Sequence, residues 1–185
     1  MLVVVADIFG RTPELDVLCA SLQQDTLIVD PYQGIYRAYE NEAKAYSTFS
    51  RDVGLDHYCE HLLETLALIN EPYTIIGFSV GAAAVWRCSD KMNSNQVSLC
   101  VGYYGSQIRN ALEVTPAVPC ELIFPHSEAH FCVDSIIEVL THTPRVSIEK
   151  REGLHGFMNR CSVNYDDALY QAEVNRLRQL LTKQQ

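Results

Sequence analysis

The segment Gly77-Phe78-Ser79-Val80-Gly81 has the spacing G-x-S-x-G, which predicts a nucleophilic serine. The apolar run Tyr73–Phe78 precedes Ser79 and an alanine-rich stretch follows it, so the motif falls between a predicted strand and a predicted helix. At such a strained turn, side chains two positions on either side would collide with the serine, which explains the two glycines. The first N–H of the helix, that of Val80, would then donate to a developing oxyanion.

A serine becomes a good nucleophile beside a base, and six histidines are available. In proteins built around this type of turn the chain order is serine, acid, histidine, with the histidine in a loop after the last strand. His155 meets this condition, because it follows a predicted strand and is flanked by glycines. The acid should follow the preceding strand, where Glu128 is the one carboxylate of segment 125–130 and Asp134 comes slightly later.

Short apolar runs alternate with helical patterns along the chain, which indicates a parallel sheet with helices on both faces. The predicted strands are Leu2–Ala6, Thr26–Val29, Tyr73–Phe78, Val97–Tyr103, Cys120–Phe124 and Arg145–Glu149. The predicted helices are Pro13–Leu22, Leu55–Ile69, Val80–Cys88, Phe131–Leu140 and Tyr165–Leu181. The tyrosine-rich segment Asp30–Ser50 is predicted to be a long loop, and such loops are often functional. We expect residues 1–185 to form a single domain.

Several segments together resemble the dienelactone hydrolase family of α/β-hydrolases. Besides the Ser79 motif, they are Val3–Gly10 with its Asp-Ile-Phe-Gly ending, the Tyr-Tyr-Gly strand end 101–105, His155–Phe157 and Asn164–Ala168. The resemblance implies a minimal α/β-hydrolase fold: a six-stranded parallel sheet of order 2-1-3-4-5-6, helices on both faces and no cap domain. It also implies that the N–H of Ile8 is the second oxyanion donor and that Asp7 takes the place of the family's glutamate near the nucleophile.

The implied function is a serine hydrolase that cleaves a small ester, lactone or thioester through an acyl-enzyme on Ser79, without a cofactor. This sequence departs from the family pattern in three features. The family's nucleophile is often cysteine, whereas here it is Ser79, and the family's acid is usually aspartate, whereas here the candidate is Glu128. The two antiparallel strands that usually precede the Ile-Phe-Gly strand are missing. Counting forward from Pro119 puts the family's acid at Glu128, whereas counting back from His130 puts it at Ala129. The alternative is a catalytically inactive binding module, since fold does not fix function.

Composition narrows the class of partner and the compartment. A net charge of −9 argues against nucleic acid, because phosphate binding requires a basic face. The seven cysteines include no C-x-x-C pair and lie in apolar stretches, which is typical of a reducing compartment. The N-terminus lacks a basic region and a cleavage signal, and no apolar run approaches the ~20 residues of a membrane span. We therefore expect a cytoplasmic protein that does not bind membranes and that acts on a small molecule. The sequence leaves the oligomeric state open, with a monomer favoured.

Two patterns contain metal-ligand residue types. The segment His57–His61 spells H-x-x-E-H, which leaves a zinc hydrolase as a rival, although no separate third ligand is evident. A solvated helix face is the favoured interpretation. His126, His130 and Cys132 are better explained as part of the acid loop, so we expect no metal.

Arginines and one tyrosine near predicted strand ends are candidates for substrate binding. A guanidinium can bind a substrate carboxylate through two parallel hydrogen bonds. Arg37 is favoured because its loop is long, and Tyr104 is a second candidate. Arg11, Arg109 and Arg160 are weaker candidates of the same kind, since most arginines simply lie on the surface.

Overall fold

A computed structural model describes residues 1–183, which contain six strands and six α-helices. The strands are β1 (Leu2–Val5), β2 (Thr26–Val29), β3 (Tyr73–Phe78), β4 (Val97–Tyr103), β5 (Cys120–Phe124) and β6 (Val146–Lys150). The helices are α1 (Pro13–Ser21), α2 (Glu42–Asp52), α3 (Gly54–Leu66), α4 (Val80–Cys88), α5 (Val133–Leu140) and α6 (Asp167–Thr182). Within these residues, no helix is long and apolar enough to cross a membrane.

The strands form one parallel sheet of order β2-β1-β3-β4-β5-β6, which confirms the predicted fold class. β1 pairs with both β2 and β3, so the direction in which strands are added reverses at β1. In open α/β sheets, ligands bind in the crevice outside the carboxyl ends of the strands at such a switch point. Val5 lies opposite Gly77 in the β1–β3 pair, so the residues that follow these two strands meet at this edge.

Side chains of the strands pack into two hydrophobic layers, one on each face of the sheet. In β1, Val3 and Val5 join the layer that contains residues of α2, α3, α4 and α5. Leu2 and Val4 join the opposite layer, which contains residues of α1 and α6. Helices therefore cover both faces, and burial on both sides explains why the strands are continuous apolar runs rather than alternating ones.

The prediction of a loop over Asp30–Ser50 is wrong in its second half, where α2 begins at Glu42. Asn41 caps this helix, because its side chain accepts a hydrogen bond from the N–H of Lys44 at 2.9 Å. The buried residues of α2 are Ala45, Thr48 and Phe49. This narrow apolar face gives a weak periodic signal among charged residues and tyrosines.

The remaining differences from the predicted elements are shifts of one to three residues at their ends. β6 begins one residue after Arg145, because Arg145 has a φ of 63°, which lies outside the strand region. α6 begins at Asp167 rather than Tyr165. The cause is Asp166, whose side chain caps the helix by accepting the N–H of Leu169 at 3.0 Å.

A buried polar network ties α6 to the sheet beneath the crevice. Arg176 of α6 donates to Glu121 of β5 at 2.5 Å and to Glu173 at 2.7 Å. It also donates to the hydroxyl of Tyr103 at 2.8 Å. Each of these buried carboxylates therefore has a cationic partner. Tyr103 ends β4, and its carbonyl oxygen accepts the N–H of Ser79 at 3.0 Å, so the network anchors the strand that flanks the serine.

Candidate active site

Ser79 lies at the turn between β3 and α4 in a strained backbone conformation, with φ 51° and ψ −114°. Glycines are required on both sides because the backbone passes too close for a side chain. A Cβ on Gly77 would lie 2.7 Å from the backbone of Ala82, and one on Gly81 would lie 2.4 Å from the carbonyl oxygen of Val5. The start of α4 therefore abuts the end of β1, and the serine lies at the switch point of the sheet.

A chain of two hydrogen bonds joins Ser79, His155 and Glu128. Oγ of Ser79 is 2.9 Å from Nε2 of His155, and Nδ1 of His155 is 2.7 Å from Oε1 of Glu128. Ser79 is buried and the side chain of Glu128 is 11% exposed, so both bonds are largely shielded from water. In this arrangement a histidine can take the serine proton while a carboxylate fixes the imidazole tautomer.

Of the acid candidates, the structure brings Glu128 to the histidine. The N–H of His126 donates to the carbonyl oxygen of Gly153 at 2.8 Å, which joins the loop after β5 to the loop after β6. This bond lies two residues before Glu128 and holds the acid loop beside the imidazole. Ala129 has no carboxylate to offer. Asp134 belongs to α5, where its side chain is 73% exposed and pairs with a lysine of β6.

Two further side chains fix the position of His155. The amide of Asn164 donates to the carbonyl oxygen of His155 at 2.9 Å. The ring of Tyr104 packs against the imidazole, with the two ring centroids 5.2 Å apart. Tyr104 is 1% exposed, so it forms a wall behind the imidazole. Its role in substrate binding stays a prediction.

The turn after β1 contains the second oxyanion candidate, the N–H of Ile8. Its neighbours are engaged: Phe9 donates its N–H to the carboxylate of Asp7 at 2.9 Å, and Gly10 donates to the carbonyl oxygen of Asp7 at 3.0 Å. Val80 is the first residue of α4, so its N–H has no acceptor within the helix. Within residues 1–183 no hydrogen bond uses either N–H, so neither group is committed to another acceptor.

Two buried tyrosines hold this turn, and neither was identified from the sequence. The hydroxyl of Tyr32 donates to the carbonyl oxygen of Ile8 at 2.8 Å. The hydroxyl of Tyr58 lies 2.9 Å from the carbonyl oxygen of Ala6 and 3.0 Å from that of Val29. The tyrosine-rich composition of segment 30–50 was the available signal for Tyr32, whereas Tyr58 is hidden within an amphipathic helix.

Asp7 is buried beside the turn, with two neutral hydrogen-bond donors. Its Oδ1 accepts the N–H of Phe9, and its Oδ2 accepts the side-chain amide of Asn159 at 2.5 Å. Burial raises the pKa of Asp7 to about 6, and Glu42 at the start of α2 adds to the shift. Both hydrogen bonds and the nearby His155 oppose it. Asn159 is a residue that the sequence did not single out.

A cavity of about 600 Å³ lies between the turn after β1 and the segment that leads to α2. Phe9 of that turn lines it, whereas Ser79, His155 and Glu128 do not. Arg37 lines this cavity, and its guanidinium lies over the ring of Tyr32 at 4.4 Å from the centroid. Arg11 also lines it but pairs with Asp16 at 2.9 Å. Arg37 makes no ion pair with any residue in the described part of the chain, so its charge is available to a ligand.

The metal-like patterns do not come together. Among residues 1–183, no three or more His, Cys, Asp or Glu side chains cluster closely enough to hold a metal ion. Nδ1 of His57 lies 3.1 Å from the carbonyl oxygen of Val53, one turn earlier in the chain. His126 pairs at the surface with Glu152 at 3.2 Å. The contribution of segment 57–61 to the site is therefore the hydroxyl of Tyr58.

The sheet order, the strained serine turn and the Ser-His-Glu arrangement together define an α/β-hydrolase fold. No model of a known protein family matches the chain. The uncharacterized protein YczH of Bacillus subtilis is 42% identical over 98 residues, which cover 52% of this chain and 47% of YczH. The match thus spans about half the length of this curated relative.

Solved structures share the fold over nearly the whole chain. The dienelactone hydrolase-like promiscuous phosphotriesterase P91 from metagenomic libraries is 12% identical, with a TM-score of 0.66 over 98% of this chain and 85% of P91. Alpha/beta hydrolase domain-containing protein 10 from mouse is 13% identical, with a TM-score of 0.65 over 100% of this chain and 90% of the mouse chain. At these identities the likeness shows a shared fold.

Proposed function

We propose that the chain is a serine hydrolase of the dienelactone hydrolase family, which cleaves a small ester, lactone or thioester through an acyl-enzyme on Ser79. The observation that carries this proposal is the unbroken hydrogen-bond chain from Ser79 through His155 to Glu128, at 2.9 and 2.7 Å. The fold shared with the dienelactone hydrolase-like P91 supports the choice of family. The Ile-Phe-Gly and Tyr-Tyr-Gly segments of the sequence support it independently.

In the proposed reaction, Oγ of Ser79 attacks the substrate carbonyl carbon while Nε2 of His155 takes the hydroxyl proton. The carbonyl oxygen becomes an oxyanion and accepts hydrogen bonds from the N–H groups of Ile8 and Val80. The bond to the leaving oxygen or sulfur then breaks, and His155 gives its proton to the departing alcohol or thiol. Water attacks the acyl-enzyme by the same steps, which release a carboxylic acid and restore the serine.

Glu128 has two tasks in this reaction. By accepting the Nδ1–H of His155, it leaves Nε2 free to receive the serine proton. It also supplies the counter-charge when the imidazole becomes an imidazolium, in a site where water screens the charges poorly. The strained turn keeps Ser79 Oγ within reach of the imidazole, so little reorganisation is needed before attack.

The cavity favours a small substrate. Its volume of about 600 Å³ falls within the range of roughly 300–1,000 Å³ that is usual for small-molecule sites. The lining combines aromatic rings with three glutamates and two arginines, and among residues 1–183 Arg37 has no ion-pair partner. In the proposed complex the ester bond lies at Ser79, and a polar group of the substrate remote from that bond reaches Arg37 in this cavity.

A fluorophosphonate probe tests the proposal, because it bonds covalently to an activated serine. We expect the wild-type protein to be labelled and Ser79→Ala not to be. Ser94→Ala, a change at an exposed serine before β4, is the matched control and should still be labelled. A folded wild-type protein that neither labels nor hydrolyses p-nitrophenyl esters or small lactones would overturn the proposal and favour the inactive binding module.

The cysteines support a cytoplasmic location as part of the same proposal. All seven are free, and five of them are buried. Buried thiols of this kind behave as small hydrophobic side chains, and they persist unpaired in reducing compartments.

A further inference from the structure

One side chain, that of Asn159, joins the loop of the histidine to the turn of the oxyanion donor. Its Nδ2 donates to the carboxylate of Asp7 at 2.5 Å, and its Oδ1 accepts the N–H of Cys161 at 2.7 Å. Reversing the amide would break both bonds, so its donor end is fixed toward Asp7. Asn159 follows His155 by four residues in the same loop, whereas Asp7 lies 152 positions away in sequence.

Asp7 transmits this contact to the oxyanion turn. Its second carboxylate oxygen accepts the N–H of Phe9, and its carbonyl oxygen accepts the N–H of Gly10. Asp7 therefore shapes the turn through both its side chain and its backbone. Ile8 lies between these bonds, with its own N–H left for the substrate oxygen. Any displacement of Asp7 would move that N–H directly.

We infer that the Asp7–Asn159 hydrogen bond is a positioning link, which sets the oxyanion turn relative to His155. The inference rests on the proposed function, because it assigns both loops to one reaction. Neither residue touches the reacting atoms in this role: Asp7 acts through Ile8, and Asn159 acts through the histidine loop. A displacement of about 1 Å between reacting groups can lower a rate by roughly 100-fold. The link should therefore affect kcat more than KM.

Exchanging the two residue types gives a sharp test of the link. In Asn159→Asp two carboxylates face each other, which breaks the link. In Asp7→Asn the amide oxygen can accept from Asn159 or from the N–H of Phe9 but not from both, so either the link or the bond that holds the turn is lost. In the double variant Asp7→Asn/Asn159→Asp, donor and acceptor trade places. The net charge is then unchanged, and the bonds from Phe9 and Cys161 can still form.

We expect each single variant to lose roughly 10- to 100-fold in kcat for p-nitrophenyl acetate, with KM nearly unchanged. The double variant should recover most of that loss, which a double-mutant cycle reports as strong coupling between the two positions. Asn175→Asp, the same change at an exposed position of α6, is the matched control and should keep wild-type activity. Single-variant losses that simply add in the double variant would overturn the inference.

The pH profile distinguishes positioning from a purely structural role. The loss in Asn159→Asp should shrink as the pH falls from about 8 to about 5, because one proton shared by the two carboxylates re-forms a hydrogen bond. The titratable groups that face Asp7 are His155, Glu42, Tyr32, Tyr58, Tyr104 and Cys161. Burial raises the pKa of the three tyrosines and of the thiol, so these four stay neutral in the assay. If the loss of kcat correlates with the drop in melting temperature and does not change with pH, the inference is contradicted.

Nuclear magnetic resonance of the same four proteins tests the link without a substrate. The backbone amide of Ile8 and the ring of His155 should both change chemical shift in each single variant and return in the double variant. If either resonance stays in place in the single variants, the link is overturned whatever the enzyme assay shows. A wild-type protein with the expected resonances but no fluorophosphonate labelling would instead count against the proposed function.

Discussion

Replacing Glu128 by glutamine tests the acid of the triad with almost no change in shape. The carboxylate lies 2.7 Å from Nδ1 of His155 and is 11% exposed, so it is a close and shielded counter-charge for the imidazolium. The amide is neutral, and its N–H can donate to Nδ1, which would leave the proton on Nε2 where the serine proton must go. A carboxylate-to-amide change of this kind lowers kcat by about 10⁴-fold, or about 5 kcal/mol in activation free energy.

Steady-state hydrolysis of p-nitrophenyl acetate measures this effect, with thermal unfolding as the check on the fold. We expect a loss of roughly 10²- to 10⁴-fold in kcat, because some activity survives when the amide oxygen faces Nδ1. Glu152→Gln is the matched control, because this carboxylate belongs to the neighbouring loop and is 89% exposed. Its replacement should change kcat by less than about twofold. A folded Glu128→Gln with kcat within about threefold of wild type would refute the reasoning.

Two further predictions concern stability in urea. Gly81→Ala should unfold at much lower urea than wild type, because its Cβ would lie 2.4 Å from a backbone carbonyl oxygen. Gly102→Ala is the matched control and should lower the urea midpoint less, since the nearest contact of its Cβ would be a leucine side chain at 3.2 Å. Equal urea midpoints for the two variants would contradict the close approach at Gly81. Burial raises the pKa of Asp7 to about 6 in the folded state, so protonation of Asp7 favours folding and its ionisation opposes it. The unfolding free energy of wild type relative to Asp7→Asn should therefore fall by about 3 kcal/mol as the pH rises from about 4 to above 6, and a flat difference would contradict this linkage.

The sheet could be predicted because burial on both faces leaves a strong local signal. The bounds of β3 and β4, Tyr73–Phe78 and Val97–Tyr103, match the predicted apolar runs residue for residue. The helix α2 leaves a weaker signal, because it buries one narrow face beside a tyrosine-rich loop. Its cap, Asn41, was visible in the sequence, but a cap without a clear apolar period does not identify a helix.

The residues proposed to react could be found because each lies near the end of a predicted strand. The residues that position them could not. Tyr32, Tyr58 and Asn159 reach their partners across 24, 52 and 152 positions, through contacts that form only once the loops stack on the finished sheet. The ambiguity between Glu128 and Ala129 has the same cause, since a loop has no alternation of side chains to fix its register. A backbone hydrogen bond to the next loop fixes it in the structure.

The two carboxylates near His155 differ in what their charges can do. Glu128 contacts Nδ1 at 2.7 Å, so its charge supports the imidazolium directly. An ionised Asp7 also favours the imidazolium, but it lies one residue from the N–H of Ile8, where the proposed oxyanion forms, and it repels that oxyanion. The charge of Asp7 therefore has opposite effects on the imidazolium and on the oxyanion, and two N–H donors disperse it. The effect also depends on pH, because burial raises the pKa of Asp7 to about 6. Asp7 is therefore better suited to holding the oxyanion turn in place than to orienting the imidazole, a task for which Glu128 has the geometry.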